Sequence, residues 1–306
     1  MTEPLVFLSG NLIPSSQAKI NIYDLGIVLG ATFTDMARTF RHKPFRLEDH
    51  VDRLLRSLKY GGIKSPFSRQ ELIDVSEKLV CENSKLITEA QDLSIVYFVT
   101  PGENPVYAGS AGTTVSTQPT FCIHTFPLPF SLWRPAFVDG VHVVTPAIRH
   151  VPPECVDPKT KNRSRLHWFL ADQQARLVDP KAISLLLDLS GNITETSGSN
   201  FVIVKGQTIY TPRPRNILSG VTLDTVAQLA PKAGLEFVEK DLQVYDVVNA
   251  DEAWLTTTPY CLGPVTKING IAIGDGKPGP LWRRMLELWS DLVGYDVHEQ
   301  VISSTI

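Results

Sequence analysis

Residues 161–222 place the strongest constraint on the fold, because turn, strand and helix signals alternate closely there. A β-prone run at 182–188 leads into a Ser-Gly-Asn turn at 190–192 and a short strand that ends at Glu195. A second β-prone run follows at 201–205, and Gly220 precedes a helical pattern at 222–233. Strands that alternate with helices in this way predict an α/β or α+β arrangement.

The same pattern extends over the rest of the chain. The start predicts a strand that runs into a turn at residues 9–11, and residues 101–120 predict a long exposed loop of functional importance. Further strands are predicted at 93–99, 141–144 and 253–257, and helices at 50–58, 68–83, 166–177 and 281–293. We predict a small N-terminal α/β domain at 1–125, an interdomain linker at 126–137 and a larger domain at 138–306.

The composition is that of an ordinary globular protein, with 43% hydrophobic residues, 20% charged residues and a net charge of −3. That charge gives no electrostatic case for a nucleic-acid or membrane partner. The first residues carry no basic segment or signal-like apolar run, and the four cysteines are scattered without a metal-ligand pattern. We therefore expect free thiols, no metal and a cytoplasmic location.

The chemistry of the 161–222 stretch depends on three features. Lys161 precedes a helix whose Leu166, Phe169, Leu170 and Leu177 are expected to form the buried face. Glu195 follows a turn and precedes a small polar run, and Gly220 opens a helix whose N-terminal amides favour an anion. A lysine, a carboxylate and an anion-binding helix start are what pyridoxal 5′-phosphate requires: a Schiff-base amine, a partner for the ring nitrogen and a phosphate site. From the residues alone, a solvated lysine, a solvated glutamate and ordinary helix capping remain open.

At these positions the chain resembles the class IV aminotransferases, the pyridoxal phosphate enzymes of fold type IV, over nearly its whole length. The resemblance implies a small two-layer N-terminal lobe, a larger pseudo-barrel lobe, and a homodimer in which a loop of one subunit covers the other's site. It implies Lys161 as the catalytic lysine. The cofactor-binding positions that it implies are Arg53, Lys161, Arg165, Glu195, Gly220, Val221, Thr222 and Thr258. For Arg53, pairing with Asp49 on the helix surface is the alternative.

The substrate side departs from the family's patterns. Thr34, Asp35, Arg38, Tyr97 and Pro259 occupy positions where substrate contacts are expected. The arginine and histidine that bind the carboxylate in D-amino-acid enzymes have no counterpart in the 101–108 segment, and Ser94 replaces the arginine of the branched-chain enzymes. The candidates for a new carboxylate-binding residue are Arg38, Arg149, Arg163 and Arg165.

Three functions follow as hypotheses. The first is a ping-pong aminotransferase that moves an amino group between an amino acid or amine and a 2-oxo acid through a Lys161 Schiff base. The second is a lyase of the aminodeoxychorismate type, suggested by the Lys161-x-x-x-Arg165-Leu166 pattern, in which Arg165 serves the cofactor's phenolic oxygen or a carboxylate. The third is a scaffold that binds without turnover. The identity and stereochemistry of the donor stay open.

Overall fold

The computed structural model describes residues 3–116 and 118–304. Thr117, which belongs to the predicted 101–120 loop, lies outside the described residues, as do residues 1, 2, 305 and 306. The described chain separates into two compact units. Unit 1 extends to Leu128 and also contains Thr160–Ser164, and unit 2 contains Pro129–Lys159 and the chain from Arg165 onward.

Unit 1 is a six-stranded sheet with the strand order β2-β1-β6-β5-β3-β4 and helices packed on one face. Its strands are β1 (Leu5–Leu8), β2 (Asn11–Pro14), β3 (Phe33–Phe40), β4 (Lys43–Phe45), β5 (Leu93–Thr100) and β6 (Thr120–Pro127). Its helices are α1 (Leu25–Val28), α2 (Leu47–Tyr60), α3 (Arg69–Asn83) and α4 (Pro105–Ser110). Short 3-10 helices lie at Ser15–Gln17 and Ser84–Leu86. The predicted loop at 101–120 therefore contains a helix, α4.

The core of unit 1 forms between α2, α3 and one face of the sheet. Leu54 and Leu58 of α2 and Leu72 and Leu79 of α3 are inaccessible or nearly so, and they pack with Ile95 of β5. Their spacing on each helix is that of a single apolar face, as the sequence predicted. This packing fixes α2 against β3 and thereby fixes the position of the polar residues on the same helix face.

Unit 2 is built around a nine-stranded sheet and includes α5 (Phe130–Asp139). Its strands are β7 (Val141–Val144), β8 (Ile183–Leu187), β9 (Ile193–Thr196), β10 (Asn200–Lys205), β11 (Thr208–Thr211), β12 (Glu236–Glu239), β13 (Glu252–Thr257), β14 (Cys261–Ile268) and β15 (Ile271–Ala272). Its other helices are α6 (Leu166–Val178), α7 (Val221–Leu229), α8 (Val244–Val248), α9 (Pro280–Val293) and α10 (Val297–Ile302), with 3-10 turns at Pro214–Asn216 and Ala230–Ala233. The predicted linker 126–137 thus contains the end of β6 and most of α5.

The sheet of unit 2 closes on itself. The path runs β10-β13-β14-β7-β8-β9, and β9 pairs again with β10 through Glu195 and Asn200. Closure removes the free edges of these strands and encloses an apolar interior that includes Phe201, Leu255 and Val265. This is the predicted pseudo-barrel, and the pair that closes it contains the predicted cofactor-binding Glu195.

The face that α6 buries differs from the prediction. Leu166 is 70% exposed and Leu177 is 87% exposed, and Phe169 and Leu170 are exposed as well. The buried residues are Trp168, Ala171 and Ala175, which face β8 and β7. The buried face thus combines one large side chain, Trp168, with two small alanines, and the four predicted residues lie on the outer face. Within the described residues, no helix is long and apolar enough to cross a membrane.

Candidate active site

Lys161 lies in a short extended segment, 160–164, that belongs to unit 1. Its amide donates to Ser57 Oγ of α2 at 3.1 Å, and its carbonyl accepts from the Thr34 amide of β3 at 3.0 Å. The backbone of the predicted catalytic lysine is therefore fixed on both sides, by a helix and by a strand. The apolar stripe of α6 from which the sequence analysis derived the placement of this lysine is exposed, so that part of the prediction is wrong.

Arg53 forms a buried cluster with Asp35 and His50. Its Nε donates to Asp35 Oδ2 and its Nη2 to Asp35 Oδ1, both at 2.8 Å. His50 Nδ1 lies 2.8 Å from Asp35 Oδ1, and all three side chains are at most 5% exposed. Arg53 thus pairs with Asp35, and Asp49 binds Arg46. The bidentate contact fixes the plane of the guanidinium, as an oriented anion-binding group requires.

The charges in this cluster determine its protonation states. Burial alone would raise the pKa of Asp35, but the charge and hydrogen bonds of Arg53, together with those of His50, lower it well below the ordinary value. Burial lowers the pKa of His50, and the charges of Arg53 and Lys161 act in the same direction against the effect of Asp35. At neutral pH Asp35 is thus ionised and His50 is neutral.

The predicted substrate residues of unit 1 occupy different environments. Thr34 lies on the sheet face opposite α2, where its hydroxyl donates to the Tyr97 carbonyl and accepts from Arg163 Nε at 3.1 Å. Arg38 is 1% exposed, pairs with Asp92 and stacks on Phe40. Arg38 therefore has the surroundings of a structural residue, and we do not carry it forward as a substrate contact.

Tyr97 is a core residue of unit 1. It is inaccessible, and its hydroxyl shares a 2.7 Å hydrogen bond with Ser76 of α3. Burial raises its pKa above the ordinary range. We do not carry it forward as a substrate contact either. Asp35, the fourth predicted substrate residue of unit 1, is fully buried and bound to Arg53.

In unit 2, Glu195 is held at the closure of the barrel. Its Oε2 accepts from Asn200 Nδ2 at 2.9 Å and from the Leu218 amide at 3.0 Å. Its Oε1 lies 3.6 Å from His150 Nε2, and the side chain is 12% exposed. Glu195 and Asn200 are direct partners in the antiparallel ladder, so their side chains lie on the same face. The result is an oriented carboxylate whose two hydrogen-bond donors are neutral.

Helix α7 begins at Val221, with Gly220 as its N-cap, as the glycine in the sequence predicted. Within the described residues, no side chain caps this N-terminus. A Cβ on Gly220 would overlap with Asn200 Oδ1, so glycine is required for this approach to the Glu195–Asn200 pair. The amides at a helix start favour a negatively charged group such as a phosphate, and Val221 and Thr222 are the first helical residues. This donor set fits the phosphate of the expected cofactor.

The remaining predicted positions surround the loop that follows Glu195. Arg165 is the N-cap of α6 and donates from Nη1 to the Ser197 carbonyl at 2.6 Å. Thr257 Oγ1 donates to the Gly198 carbonyl at 2.8 Å, so this loop is held from two sides. Thr258 and Pro259 lie in the turn between β13 and β14, where Thr258 is half-buried.

Several partners of the predicted residues were missed from the sequence. Asn200 could have been predicted, because a turn between two β-prone runs places residues 195 and 200 opposite each other. Ser57 and His50 carry a weaker signal: with Arg53 they recur at helical spacing on one face of α2. His150 and the Leu218 amide carry none, because they approach Glu195 only through tertiary structure.

The family model described as amino-transferase class IV matches residues 32–268. The chain is 30% identical over 288 residues to a Methanocaldococcus jannaschii protein with the provisional name branched-chain-amino-acid aminotransferase, covering 94% of this chain and 96% of that protein. It is 30% identical to the D-alanine aminotransferase of Bacillus licheniformis, covering 92% of this chain and 94% of that protein.

A branched-chain amino acid aminotransferase solved with pyridoxamine 5′-phosphate superposes with a TM-score of 0.84 at 24% identity, covering 95% of each chain. The branched-chain aminotransferase of the archaeon Thermoproteus uzoniensis, solved with norvaline, superposes with a TM-score of 0.82 at 25% identity, again covering 95% of each chain. With its fold type IV architecture, this chain belongs to the class IV aminotransferases.

Proposed function

We propose that this protein is a pyridoxal 5′-phosphate-dependent aminotransferase that moves an amino group from an amino acid or amine to a 2-oxo acid in a ping-pong cycle. Family membership supports the reaction class. The observation that carries the assignment to this chain is Glu195, an oriented carboxylate held by the neutral donors Asn200 and Leu218. When bound, the cofactor supplies an electron sink that stabilises negative charge on the substrate carbon.

Each residue that would hold the cofactor offers a group of the required type. Lys161 supplies the amine for the cofactor aldehyde, and Glu195 supplies a negative charge for the ring nitrogen. We propose that Arg53, the α7 amides of Val221 and Thr222, and the Thr258 hydroxyl hold the phosphate. Because Asp35 already neutralises Arg53, that arginine costs less to bury than an isolated charge would.

Lys161 Nζ is also the proposed proton carrier at the substrate Cα. A proton carrier must stay in a defined place through the cycle, and the contacts of Lys161 with Ser57 and Thr34 fix its backbone. One side chain can thus hold the cofactor and move the proton.

We propose transamination rather than elimination, because the two residues that bear on elimination have other partners. Arg165 donates to the Ser197 carbonyl and supports the loop after Glu195. Asp35 lies where a proton-relaying hydroxyl is expected in a lyase, and it is fully buried against Arg53. These contacts support transamination over the lyase hypothesis.

The test is the visible absorption spectrum of the cofactor-loaded protein during additions of L-glutamate, D-alanine, L-leucine or R-1-phenylethylamine. Transamination predicts that one donor removes the visible band, and that a 2-oxo acid added afterwards restores it. The identity of that donor gives the substrate class and stereochemistry. A visible band that no donor changes contradicts transamination of these classes.

We also propose that the protein works as a homodimer, with residues 101–116 contributing to the partner's site. Val106 and Tyr107 of α4 are exposed apolar side chains in this segment, and such residues favour a protein contact. Deletion of residues 107–115 is expected to reduce activity strongly while unit 1 remains folded, as monitored by circular dichroism. Unchanged kinetics in a folded deletion variant would exclude this role.

A further inference from the structure

The 160–164 segment places Lys161 and Arg163 on the same side of β3. Phe33 and Asn162 form an antiparallel bridge, flanked by hydrogen bonds from the Thr34 amide to Lys161 and from the Arg163 amide to Thr32. Residues directly opposite in such a pair share a face, and their neighbours point to the other face. Lys161 and Arg163 therefore lie on the Thr34 side of the strand, away from Phe33.

Arg163 is an exposed cation without a carboxylate partner within residues 3–116 and 118–304. Its guanidinium makes one hydrogen bond there, from Nε to Thr34 Oγ1, which leaves the two Nη groups for a ligand. The other candidate arginines are engaged differently: Arg38 binds Asp92, and Arg165 donates to the Ser197 carbonyl. Arg149 lies in unit 2 and donates to the Pro146 carbonyl.

The sheet face around Arg163 contains no compensating negative charge among its described neighbours. Thr34, Phe98 and Cys122 lie side by side on three adjacent strands, and His124 follows Cys122 two residues later. Burial lowers the pKa of Arg163, and burial together with the Arg163 charge lowers the pKa of His124. The described neighbours are thus neutral, and a partly desolvated guanidinium among neutral groups favours an anion.

We propose that Arg163 binds the carboxylate of the amino donor and of the 2-oxo acceptor, which makes carboxylate-bearing amino acids, rather than simple amines, the substrate class. This inference rests on the proposed aminotransferase function. An α-amino acid carries its amine and its carboxylate on one carbon, so the lysine that handles the amine needs a carboxylate-binding group close by. Arg163 is two residues from Lys161 on the same side of an extended segment, and Thr34 orients its fork for a bidentate contact.

The experiment measures the binding of pentanoate and of its neutral analogue pentanamide to the cofactor-loaded protein by calorimetry. The variants are Arg163→Met, Arg163→Lys and the control Arg56→Met, which removes an exposed arginine of α2 in the same unit. We expect Arg163→Met to weaken pentanoate binding by roughly 10- to 100-fold, as for a lost hydrogen bond to a charged group, and to leave pentanamide binding unchanged. Arg163→Lys keeps the charge and should retain part of the preference, while Arg56→Met should match the wild type.

Unchanged pentanoate binding in Arg163→Met overturns the proposal, and so does an equal loss for both ligands, because that result indicates a distorted site. A wild-type protein without preference for pentanoate overturns it too. These results are separable from a failure of the proposed function. A protein whose visible band responds to amino donors, but whose Arg163→Met variant keeps its carboxylate affinity, is an aminotransferase that binds carboxylate elsewhere. A band that never responds refutes the function whatever pentanoate does.

Discussion

The two polar clusters of this protein, Arg53 with Asp35 and Glu195 with Asn200, stabilise a charge that is largely shielded from solvent in different ways. In unit 1, Arg53 is neutralised by a full charge, the Asp35 carboxylate, in a bidentate pair. In unit 2, the Glu195 carboxylate is held by the neutral amide of Asn200 and the Leu218 N–H. We call the first the balanced cluster, because Arg53 and Asp35 carry opposite charges, and the second the unbalanced cluster, because both hydrogen-bond donors of Glu195 are neutral. In the proposed site, the balanced cluster orients Arg53 for the phosphate, and the unbalanced cluster presents Glu195 to the ring nitrogen.

The largest expected effect comes from Lys161→Ala, which removes the amine that we propose as Schiff-base group and proton carrier. Activity should fall by roughly a thousand-fold or more, and the visible band of the bound cofactor should disappear. Lys159→Ala is the matched control, because that lysine lies two residues away with an exposed pairing to Asp157. If Lys159→Ala removed the band and Lys161→Ala retained it, the assignment would be off by two residues.

Asp35→Asn breaks the balanced cluster and leaves Arg53 as a buried cation without its carboxylate. We expect the free energy of unfolding to fall by about 3–5 kcal/mol, as measured by urea denaturation. The control is Asp52→Asn, which removes an exposed pair with Arg69 and should change the stability far less. The double variant Asp35→Asn/Arg53→Met should be more stable than Asp35→Asn alone, and a further loss would contradict the charge argument.

The stability difference between wild type and Asp35→Asn should depend on pH, because the pKa of Asp35 is lowered. A carboxyl whose pKa lies below the ordinary 3.8 stabilises the fold above that pH, and the contribution is lost as the pH falls through the lowered value. Wild type and Asp35→Asn should therefore converge in stability under strongly acidic conditions. A stability difference that stays constant with pH would indicate lost packing rather than lost charge.

Glu195→Gln tests the unbalanced cluster, because it keeps the shape of the side chain and removes its charge. We expect kcat to fall by about 100-fold, with a smaller effect on stability than that of Asp35→Asn. Asn200→Ala should give a smaller loss of kcat, since it leaves the charge and removes one of two donors. Steady-state kinetics with the donor identified by spectroscopy gives both values. Equal kcat for wild type and Glu195→Gln would show that the charge has no part in the reaction.

The smallest effect concerns His167, which lies beside His150 in unit 2. Burial, the nearby His150 and Arg165 lower its pKa from 6.5 to about 4. The unfolded chain therefore binds a proton first as the pH falls below 6.5, and the folded state loses stability until about pH 4. His167→Gln should reduce the stability loss between pH 7 and pH 4.5 by on the order of 1 kcal/mol, after allowance for solvent screening. An identical pH dependence in both proteins would contradict the assignment.

The elements that local pattern determines were predicted well. The strand Val141–Val144 and the helix start after Gly220 depend on β-branched runs and on a glycine, which act through neighbouring residues. The face of α6 could not be predicted in the same way, because this helix carries apolar residues on both sides. Periodicity shows that a helix can bury one face, and it does not show that Trp168 and two alanines, rather than the four predicted side chains, face the sheet.

The remaining contacts were not predicted because they join residues that are far apart in the sequence. Asp35 and Arg53 were both singled out, but their pairing joins a strand to a helix and leaves no local mark. His150 reaches Glu195 from a distant part of the sequence, and its contact is hidden for the same reason. The dimer and the cellular location stay predictions, since neither follows from the fold of one chain.

The contact between Gly220 and Asn200 has a consequence for protein engineering. A side chain at position 220 must displace the Asn200 amide, and that amide holds the carboxylate of Glu195. A library that varies the start of α7 would therefore also disturb Glu195, the proposed partner of the cofactor's ring nitrogen. Mutagenesis of these two sites should be designed as one library, with Gly220 kept constant.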